Sequence, residues 1–181
     1  MRLSDLVSAK VSQDPEITGV TADSRKVKPG FLFAALPGST VDGRRFISGA
    51  IEAGAAAVLA PDDVVGLAVP VVHAADPRRA YALAAAGFWR DQPGTCVAVT
   101  GTNGKTSVAT FCRQIFARAG HKAASMGTLG VTVSKAGEAD IQLTPPGLTT
   151  PDAADVAELM ARMAREGVTH LALEASSHGV D

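Results

Sequence analysis

The chain of 181 residues has little cysteine, few aromatic residues and little charge of either sign. Its two cysteines cannot form the disulfide framework of a small secreted domain. Both Cys96 and Cys112 lie in apolar segments, which predicts buried, reduced thiols. The 17 basic and 18 acidic residues leave a formal net charge of -1, and no long run of lysine or arginine occurs. This balance argues against nucleic acid or an anionic membrane as a partner.

Long apolar runs are also missing. The longest weakly polar stretch, residues 53–60, is far shorter than the roughly 20 residues that a bilayer span requires. The start, MRLSDLVSAK, lacks the apolar core of a secretory signal. We therefore expect a cytoplasmic protein without membrane insertion. Hydrophobic residues still make up 46% of the chain, enough to build the core of one ordinary domain or of two small ones.

Turn-forming residues at 91–94 interrupt the apolar pattern and predict a domain boundary, with domains at 1–92 and 93–181. The first half contains short strand and helix patterns. The second half alternates strands and helices, which favours a parallel sheet with right-handed crossovers. The predicted fold class is α/β: a small mixed α/β N-terminal domain, then the first half of a P-loop parallel-sheet central domain.

Three local predictions belong to the second half. The segment TCVAVT is typical of a buried strand. The polar stretch SKAGEADIQLTPPG predicts a loop, in which Glu138 and Asp140 are solvated. Thr150 and Pro151 are suited to the N-cap and first position of the helix that follows.

A glycine-rich turn joins the TCVAVT strand to the next helix. Backbone N–H groups in this setting can surround phosphate oxygens. Lys105 would neutralise phosphate charge, and the Thr106 hydroxyl would hold a magnesium ion. The general pattern G-x-x-x-x-G-K-[ST] is not met, because Val99 stands in place of its first glycine. A turn that uses glycine only for close packing, with Lys105 exposed, is the alternative. The turn comprises Gly101, Thr102, Asn103, Gly104, Lys105, Thr106 and Ser107.

Glu174 ends the apolar strand VTHLALE. Its carboxylate would emerge at the carboxyl edge of a parallel sheet, where open α/β folds bind ligands. There it could coordinate magnesium together with Thr106. The alternative is a carboxylate that caps a neighbouring helix.

The motif TGTNGKT resembles the ATP-binding form of the Mur ligases and of their relative folylpolyglutamate synthetase. Three further motifs agree in order and spacing: TADSRKVKPGFLFAALPG followed by DGRRFISGAIEAGAAAVLA, then LTTPDA, then LEASSHG. The combination is similar to the ligases that add the third residue to UDP-N-acetylmuramoyl-L-alanyl-D-glutamate. The added amino acid would be meso-diaminopimelate, with lysine as the rival. A ligase adding D-alanyl-D-alanine, or a non-catalytic nucleotide-sugar and ATP binding module, are the alternatives.

The resemblance implies ATP as substrate, Mg²⁺ as cofactor, and amide formation through an acyl phosphate. It implies catalytic roles for Lys105 and Glu174, ATP binding by Gly101–Ser107, and metal binding by Thr106 and Glu174. Substrate contacts fall on two groups of residues: a uridine site at Ser24, Ser39, Thr40 and Val41, and a site near the reacting carboxylate at Thr149, Thr150 and Ser176. It leaves the role of His178 open.

Mur ligases continue beyond the position that matches Asp181. By resemblance, the continuation supplies a carbamylated lysine, a histidine, adenine contacts and the pocket for the added amino acid. We therefore expect a fragment with little or no ligase activity alone, from a protein that is monomeric at full length. We also expect an exposed sheet edge or an incomplete apolar face in the second half.

Overall fold

The computed structural model describes residues 1–8, 11–38, 41–144 and 152–175. Contacts between residues divide the chain into two compact units. The first comprises Met1–Arg90 together with Asp152–Ala157. The second begins at Asp91 and resumes at Glu158. Among the described residues, no helix is both long and apolar enough to cross a bilayer.

The first unit is built on a four-stranded parallel sheet in the order β1-β2-β3-β4. The described residues of this unit also form two α-helices and three short 3₁₀ turns. The strands are β1 (Gly19–Thr21), β2 (Phe31–Ala34), β3 (Ala57–Ala60) and β4 (Val71–His73), and the helices are α1 (Ile47–Glu52) and α2 (Pro77–Trp89).

Apolar side chains cover both faces of this first sheet. Successive residues of a strand point to opposite faces, so Leu32 and Phe33 of β2 enter different cores. The Leu32 face packs against α2 through Tyr81, and the Phe33 face packs against α1 through Ile47. Burial on both faces explains why β2 and β3 read as continuous apolar runs rather than as alternating ones.

The second unit contains a five-stranded mixed sheet in the order β5-β9-β6-β7-β8. Strand β9 pairs in parallel with both β5 and β6, whereas β7 and β8 pair antiparallel. The strands are β5 (Thr95–Val99), β6 (Ala123–Gly127), β7 (Gly130–Ser134), β8 (Ile141–Thr144) and β9 (His170–Glu174). Its helices are α3 (Lys105–Arg118) and α4 (Ala153–Arg165), the first residues of α4 belonging to the first unit.

The polar stretch after β7 was predicted as a loop throughout, but its residues Ile141–Thr144 form β8. Asp140, which precedes β8, is not simply solvated, because it accepts a hydrogen bond of 2.6 Å from the Arg113 guanidinium. Arg113 lies on the face of α3 that packs on the sheet and is only 5% exposed. It also donates to Ser125 on β6 and to Ser134 on β7. A buried cation needs such partners, and the half-exposed Asp140 supplies the anionic one.

Strand β5 lies at the edge of its sheet, although its apolar sequence predicted burial. Three large side chains on α3 are also exposed: Val108 (46%), Phe111 (59%) and Ile115 (63%). The expected exposed edge and incomplete apolar face are thus confirmed. The expectation of two buried thiols is wrong, since Cys96 on the edge strand is exposed and Cys112 is half-buried.

Helix α4 begins later than the sequence predicted. It starts at Ala153, and the Asp152 carboxylate accepts hydrogen bonds from the backbone N–H groups of Ala154 (2.9 Å) and Asp155 (3.0 Å). Asp152 therefore acts as a cap for the first turn of α4. Thr150 and Pro151, which the sequence suggested for the N-cap and first helical position, lie outside the described residues.

Candidate functional site

The glycine-rich turn lies between β5 and α3 at the carboxyl edge of the second sheet. Gly104 has a φ of +78° and forms the N-cap of α3, where its carbonyl accepts the Val108 N–H at 2.9 Å. Gly101 has a φ of +142°. These backbone angles are accessible to glycine but strained for other residues. The two glycines therefore set the path by which the turn enters the helix.

Lys105 is the first residue of α3, and its side chain folds back over the turn. Its Nζ donates a hydrogen bond of 2.6 Å to the Gly101 carbonyl. The ammonium therefore sits next to the N-terminus of α3, whose free N–H groups carry partial positive charge. This concentration of positive charge is suited to an anion such as phosphate.

Three oxygen atoms lie close together beside the turn. The Thr106 hydroxyl donates to Oε2 of Glu174 at 3.1 Å, and the Thr128 hydroxyl donates to the same oxygen at 3.3 Å. The two hydroxyl oxygens are 3.1 Å apart. We call this set, Thr106, Thr128 and Glu174, the oxygen triangle. All three side chains are accessible to solvent, since Thr128 is exposed and the other two are half-buried.

Glu174 reaches the triangle because β9 lies between β5 and β6. Its parallel partner on β5 is Val99, which is two residues before Gly101. The carboxylate thus emerges beside the turn, as the sequence predicted from its place at a strand end. It accepts hydrogen bonds from two threonine hydroxyls, so the helix-capping alternative has no support among the contacts of the described residues.

Gly127, the last residue of β6, makes room for this carboxylate. A Cβ atom at Gly127 would collide with the carboxyl group of Glu174. The Glu174 side chain therefore packs directly against the backbone of the neighbouring strand. Any larger residue at this position would displace the carboxylate from the triangle.

Sequence reasoning missed Thr128. It is the first of two residues in the turn of the β6–β7 hairpin, between the paired Gly127 and Gly130. A two-residue connection flanked by glycines is a hairpin signal that could have been found. The sequence does not reveal that β6 is the neighbour of β9, and only this strand order brings the turn next to Glu174.

In the first unit, a 3₁₀ turn at Ser24–Lys26 follows β1, and Asp23 is its N-cap. Asp23 accepts the Arg25 N–H at 3.0 Å and binds the Arg25 guanidinium at 2.9 and 2.7 Å. The hydrogen bond from the Arg25 side chain lowers the pKa of Asp23 to about 2. The start of the turn is anchored by Tyr81, whose buried hydroxyl accepts the Ala22 N–H at 3.1 Å.

A cavity of about 480 Å³ adjoins this turn, and Ser24 and Phe46 are among its lining residues. The Phe46 ring is 42% exposed. Val41 is 49% exposed and is not among the lining residues. The other predicted substrate residues, Ser39, Thr40, Thr149, Thr150 and Ser176, lie outside the described residues, as does His178.

Within residues 1–8, 11–38, 41–144 and 152–175, no group of three or more His, Cys, Asp or Glu side chains could hold a metal ion. The oxygen triangle differs from such a group, because two of its three donors are hydroxyls. Hydroxyl, carboxylate and phosphate oxygens together make a donor set suited to a hard cation such as Mg²⁺. The chemistry of the donors therefore fits magnesium better than zinc or another soft metal.

Two family models match the chain. One is described as "Mur ligase family, catalytic domain" and matches residues 16–88, and the other is "Mur ligase middle domain" and matches residues 99–181. A Caulobacter vibrioides protein named UDP-N-acetylmuramoyl-L-alanyl-D-glutamate--2,6-diaminopimelate ligase is 71% identical over 181 residues. A protein of the same name from Bradyrhizobium diazoefficiens is 50% identical over 186 residues.

The chain spans 37% of the length of each of these two curated relatives, and they cover 99% and 100% of it. A solved structure of a UDP-N-acetylmuramoyl-L-alanyl-D-glutamate--2,6-diaminopimelate ligase matches with a TM-score of 0.83 at 26% identity, covering 99% of this chain and 37% of its own. A MurF ligase from Thermotoga maritima, solved in complex with ADP, matches with a TM-score of 0.56 at 21% identity over 87% of this chain and 32% of its own. The second likeness shows a common fold.

Proposed function

Because the chain belongs to the Mur ligase family, we propose that it is the ATP- and nucleotide-sugar-binding part of a ligase that adds meso-diaminopimelate to UDP-N-acetylmuramoyl-L-alanyl-D-glutamate. The observation that carries the proposal is that Lys105, Thr106 and Glu174 meet at one edge of one sheet. The identity of 71% with a relative of that name supports the choice of amino acid.

In this proposal the turn Gly101–Ser107 binds the phosphates of ATP. Its backbone N–H groups and the N-terminus of α3 contact phosphate oxygens. Lys105 exchanges its bond to the Gly101 carbonyl for the β- and γ-phosphates. Both ATP and the acceptor carboxylate are anionic, so Lys105 lowers the barrier by neutralising their mutual repulsion.

The residues that would hold magnesium are Thr106 and Glu174. When bound there, the ion would supply positive charge that stabilises the phosphates during phosphoryl transfer. Glu174 supplies the anionic oxygen, and Gly127 keeps it within reach of Thr106. A carboxylate held against the strand backbone in this way loses little conformational entropy when it binds a ligand.

The reaction has two steps. A carboxylate oxygen of the D-glutamyl residue attacks the γ-phosphorus of ATP, the bond to the β–γ bridging oxygen breaks, and ADP leaves with that electron pair. The amine of meso-diaminopimelate then attacks the carbon of the acyl phosphate. The carbon–oxygen bond breaks, inorganic phosphate leaves, and the nitrogen loses a proton to give the amide. The residues of this chain contribute mainly by positioning the two anions and stabilising their charge.

The first unit would bind the uridine end of the nucleotide sugar. Ser24 lies at the cavity after β1, and the exposed Phe46 ring lines the same cavity. From the resemblance we propose that Ser39, Thr40 and Val41 also contact the uridine end of the substrate, and that Thr149, Thr150 and Ser176 contact it near the reacting carboxylate. We also propose that the domains span residues 1–92 and 93–181. The full-length protein would be cytoplasmic and monomeric, without nucleic-acid or membrane partners.

Calorimetric titration of ATP with Mg²⁺ into the chain tests the phosphate site. We expect Lys105→Ala to weaken binding by roughly tenfold or more, since it removes a charge-assisted contact. Lys135→Ala is the matched control, because Lys135 follows the far end of β7 and pairs with Glu138. Unchanged ATP affinity in Lys105→Ala would contradict the assignment.

A second candidate function is a binding module without catalysis. The chain spans only 37% of the curated relatives, which favours this reading for the isolated polypeptide. It is tested by amide formation from ATP, UDP-muramoyl-dipeptide and meso-diaminopimelate, alongside separate titrations of the two nucleotides. We expect both to bind and no amide to form. Turnover by the purified chain would exclude the binding-module reading.

A further inference from the structure

We propose that Arg113 is a positioning residue for the phosphate site: it fixes where α3 lies on its sheet and thereby holds Lys105 and Thr106 in place. The inference rests on the proposed ATP-binding function and deepens it. Arg113 lies outside the phosphate turn, and the resemblance to other ligases gave it no role. The assignment follows from its burial and from its contacts with three segments of the sheet.

Small side chains flank Arg113 on the face of α3 that packs on the sheet. Ala109 and Ala117 are 1% and 7% exposed, and Arg113, at 5%, lies between them at helical spacing. A methyl group makes few van der Waals contacts, so these alanines resist sliding of the helix only weakly. Val108 and Phe111 do not strengthen the contact, because both are exposed. The position of the helix therefore depends strongly on the directional bonds of Arg113.

The guanidinium of Arg113 bonds to three separate segments of the sheet, and we call this set of bonds the Arg113 tether. Nε donates to the Ser125 hydroxyl on β6 at 3.1 Å, and Nη1 donates to Ser134 on β7 and, at 2.6 Å, to Asp140 before β8. The Ser134 hydroxyl in turn donates to the other carboxylate oxygen of Asp140 at 2.5 Å. The donors of a guanidinium have fixed directions in one plane. Acceptors on three segments therefore fix both the height and the rotation of α3 on the sheet.

The helix and the strand that the tether joins carry the two sides of the phosphate site. Helix α3 provides the lysine and the threonine of the phosphate turn at its first two positions. Strand β6 carries Ser125 and, two residues later, Gly127, whose backbone lies against the Glu174 carboxylate. A bond between this helix and this strand therefore keeps the turn in register with the carboxylate.

The tether is close enough to the site for a rigid connection. Thr106 and Arg113 are seven positions apart on one helix, which is about 10 Å at 1.5 Å per residue. A continuous α-helix of this length moves as one body, so a shift at Arg113 also moves Thr106. The bond from Thr106 to Glu174 is 3.1 Å long, and a further shift of about 0.5 Å would break it.

The experiment compares the ATP affinity of variants of the full chain. ATP is titrated calorimetrically with excess Mg²⁺, at a temperature at which circular dichroism shows every variant to be folded. Asp140→Ala breaks the tether at its half-exposed end, and Asp140→Glu keeps the carboxylate. Glu138→Ala removes the neighbouring exposed ion pair. Met163→Ala opens a cavity at a buried position of α4 and so destabilises the fold without removing a bond of α3.

We expect Asp140→Ala to weaken ATP binding by roughly tenfold, since supporting residues must hold a binding group to within about 0.5 Å. Asp140→Glu should recover most of the affinity, and Glu138→Ala and Met163→Ala should match the wild type. Amide ¹H–¹⁵N spectra without nucleotide supply an independent readout. The signals of Lys105 and Thr106 should shift in Asp140→Ala and stay in place in Met163→Ala.

Two results would overturn the inference while leaving the proposed function intact. Wild-type ATP affinity in Asp140→Ala would show that the tether does not position the turn. An equal loss of affinity in Met163→Ala would show that ATP binding follows overall stability instead. If the wild-type chain itself binds no ATP, the proposed function fails, and the inference fails with it.

Discussion

Asp140 and Glu138 offer a quantitative comparison of two ion pairs in one hairpin. Their side chains are equally exposed, at 53% each. Their partners differ, because the Arg113 side chain is 7% exposed whereas that of Lys135 is 53% exposed. We predict that Asp140→Ala destabilises the second unit by about 2 kcal/mol, and that Glu138→Ala leaves its stability within experimental error of the wild type.

The magnitude follows from the burial of Arg113. Removing one partner of a buried ion pair costs about 3–5 kcal/mol, because a charge is left without compensation. The half-exposed position of Asp140 lets water replace part of the lost contact, and Ser125 and Ser134 still accept from the guanidinium. The expected cost therefore falls to about 2 kcal/mol, near that of a hydrogen bond to a charged group. An exposed pair such as Lys135–Glu138 contributes little.

Urea unfolding followed by circular dichroism measures these differences, with Asp140→Asn expected between the wild type and Asp140→Ala. Hydrogen bonds from Ser134 and then Arg113 lower the pKa of Asp140 below its usual 3.8. The carboxylate therefore stabilises the fold above about pH 4, and this contribution is lost as the pH falls through its lowered pKa. Equal destabilisation by Asp140→Ala and Glu138→Ala, or a difference that does not shrink in acid, would refute the reasoning.

Three further predictions concern the two sites. Gly127→Ala should push the Glu174 carboxylate away from its hydroxyl partners and weaken magnesium-dependent ATP binding by roughly tenfold or more, with overpacking costing about 1–3 kcal/mol of stability; an unaltered titration would contradict the close packing. Tyr81→Phe should cost about 1–2 kcal/mol, because it leaves the Ala22 N–H without its acceptor; urea unfolding measures this, and no change would show that the bond is dispensable. Asp23 should titrate near pH 2 by carbon-detected NMR, so its modest stabilisation is present above about pH 4 and lost as the pH falls towards 2; a normal value would exclude the ion pair in solution.

The sequence was most informative where a local backbone requirement coincides with a chemical one. The glycines at 101 and 104 adopt positive φ angles, and the lysine that follows them folds over the turn. These features depend on neighbouring residues in the chain, so a strand–turn–helix pattern was enough to find them. The placement of Glu174 followed from a simple rule about strand ends in parallel sheets.

The sequence was least informative about contacts that depend on strand order. Thr128 and Glu174 are 46 residues apart, and only the insertion of β9 between β5 and β6 brings them together. The role of Asp140 depends in the same way on a distant residue, the buried Arg113 of α3, which lies 27 residues earlier in the chain. Cys96 was wrongly predicted to be buried because an apolar run does not reveal whether its strand is central or at an edge.

The edge position of β5 has a consequence for nucleotide binding. This strand precedes the phosphate turn, yet within the part of the chain that the structure describes it is hydrogen-bonded to one strand only, β9. Local opening of β5 would carry Gly101 and Lys105 away while Glu174 stays with β9. A ligand that bridges the turn and Glu174 must therefore suppress this opening. Bound ATP should therefore stabilise β5 against local opening. Amide hydrogen exchange should slow more in β5 than in β6 or β7.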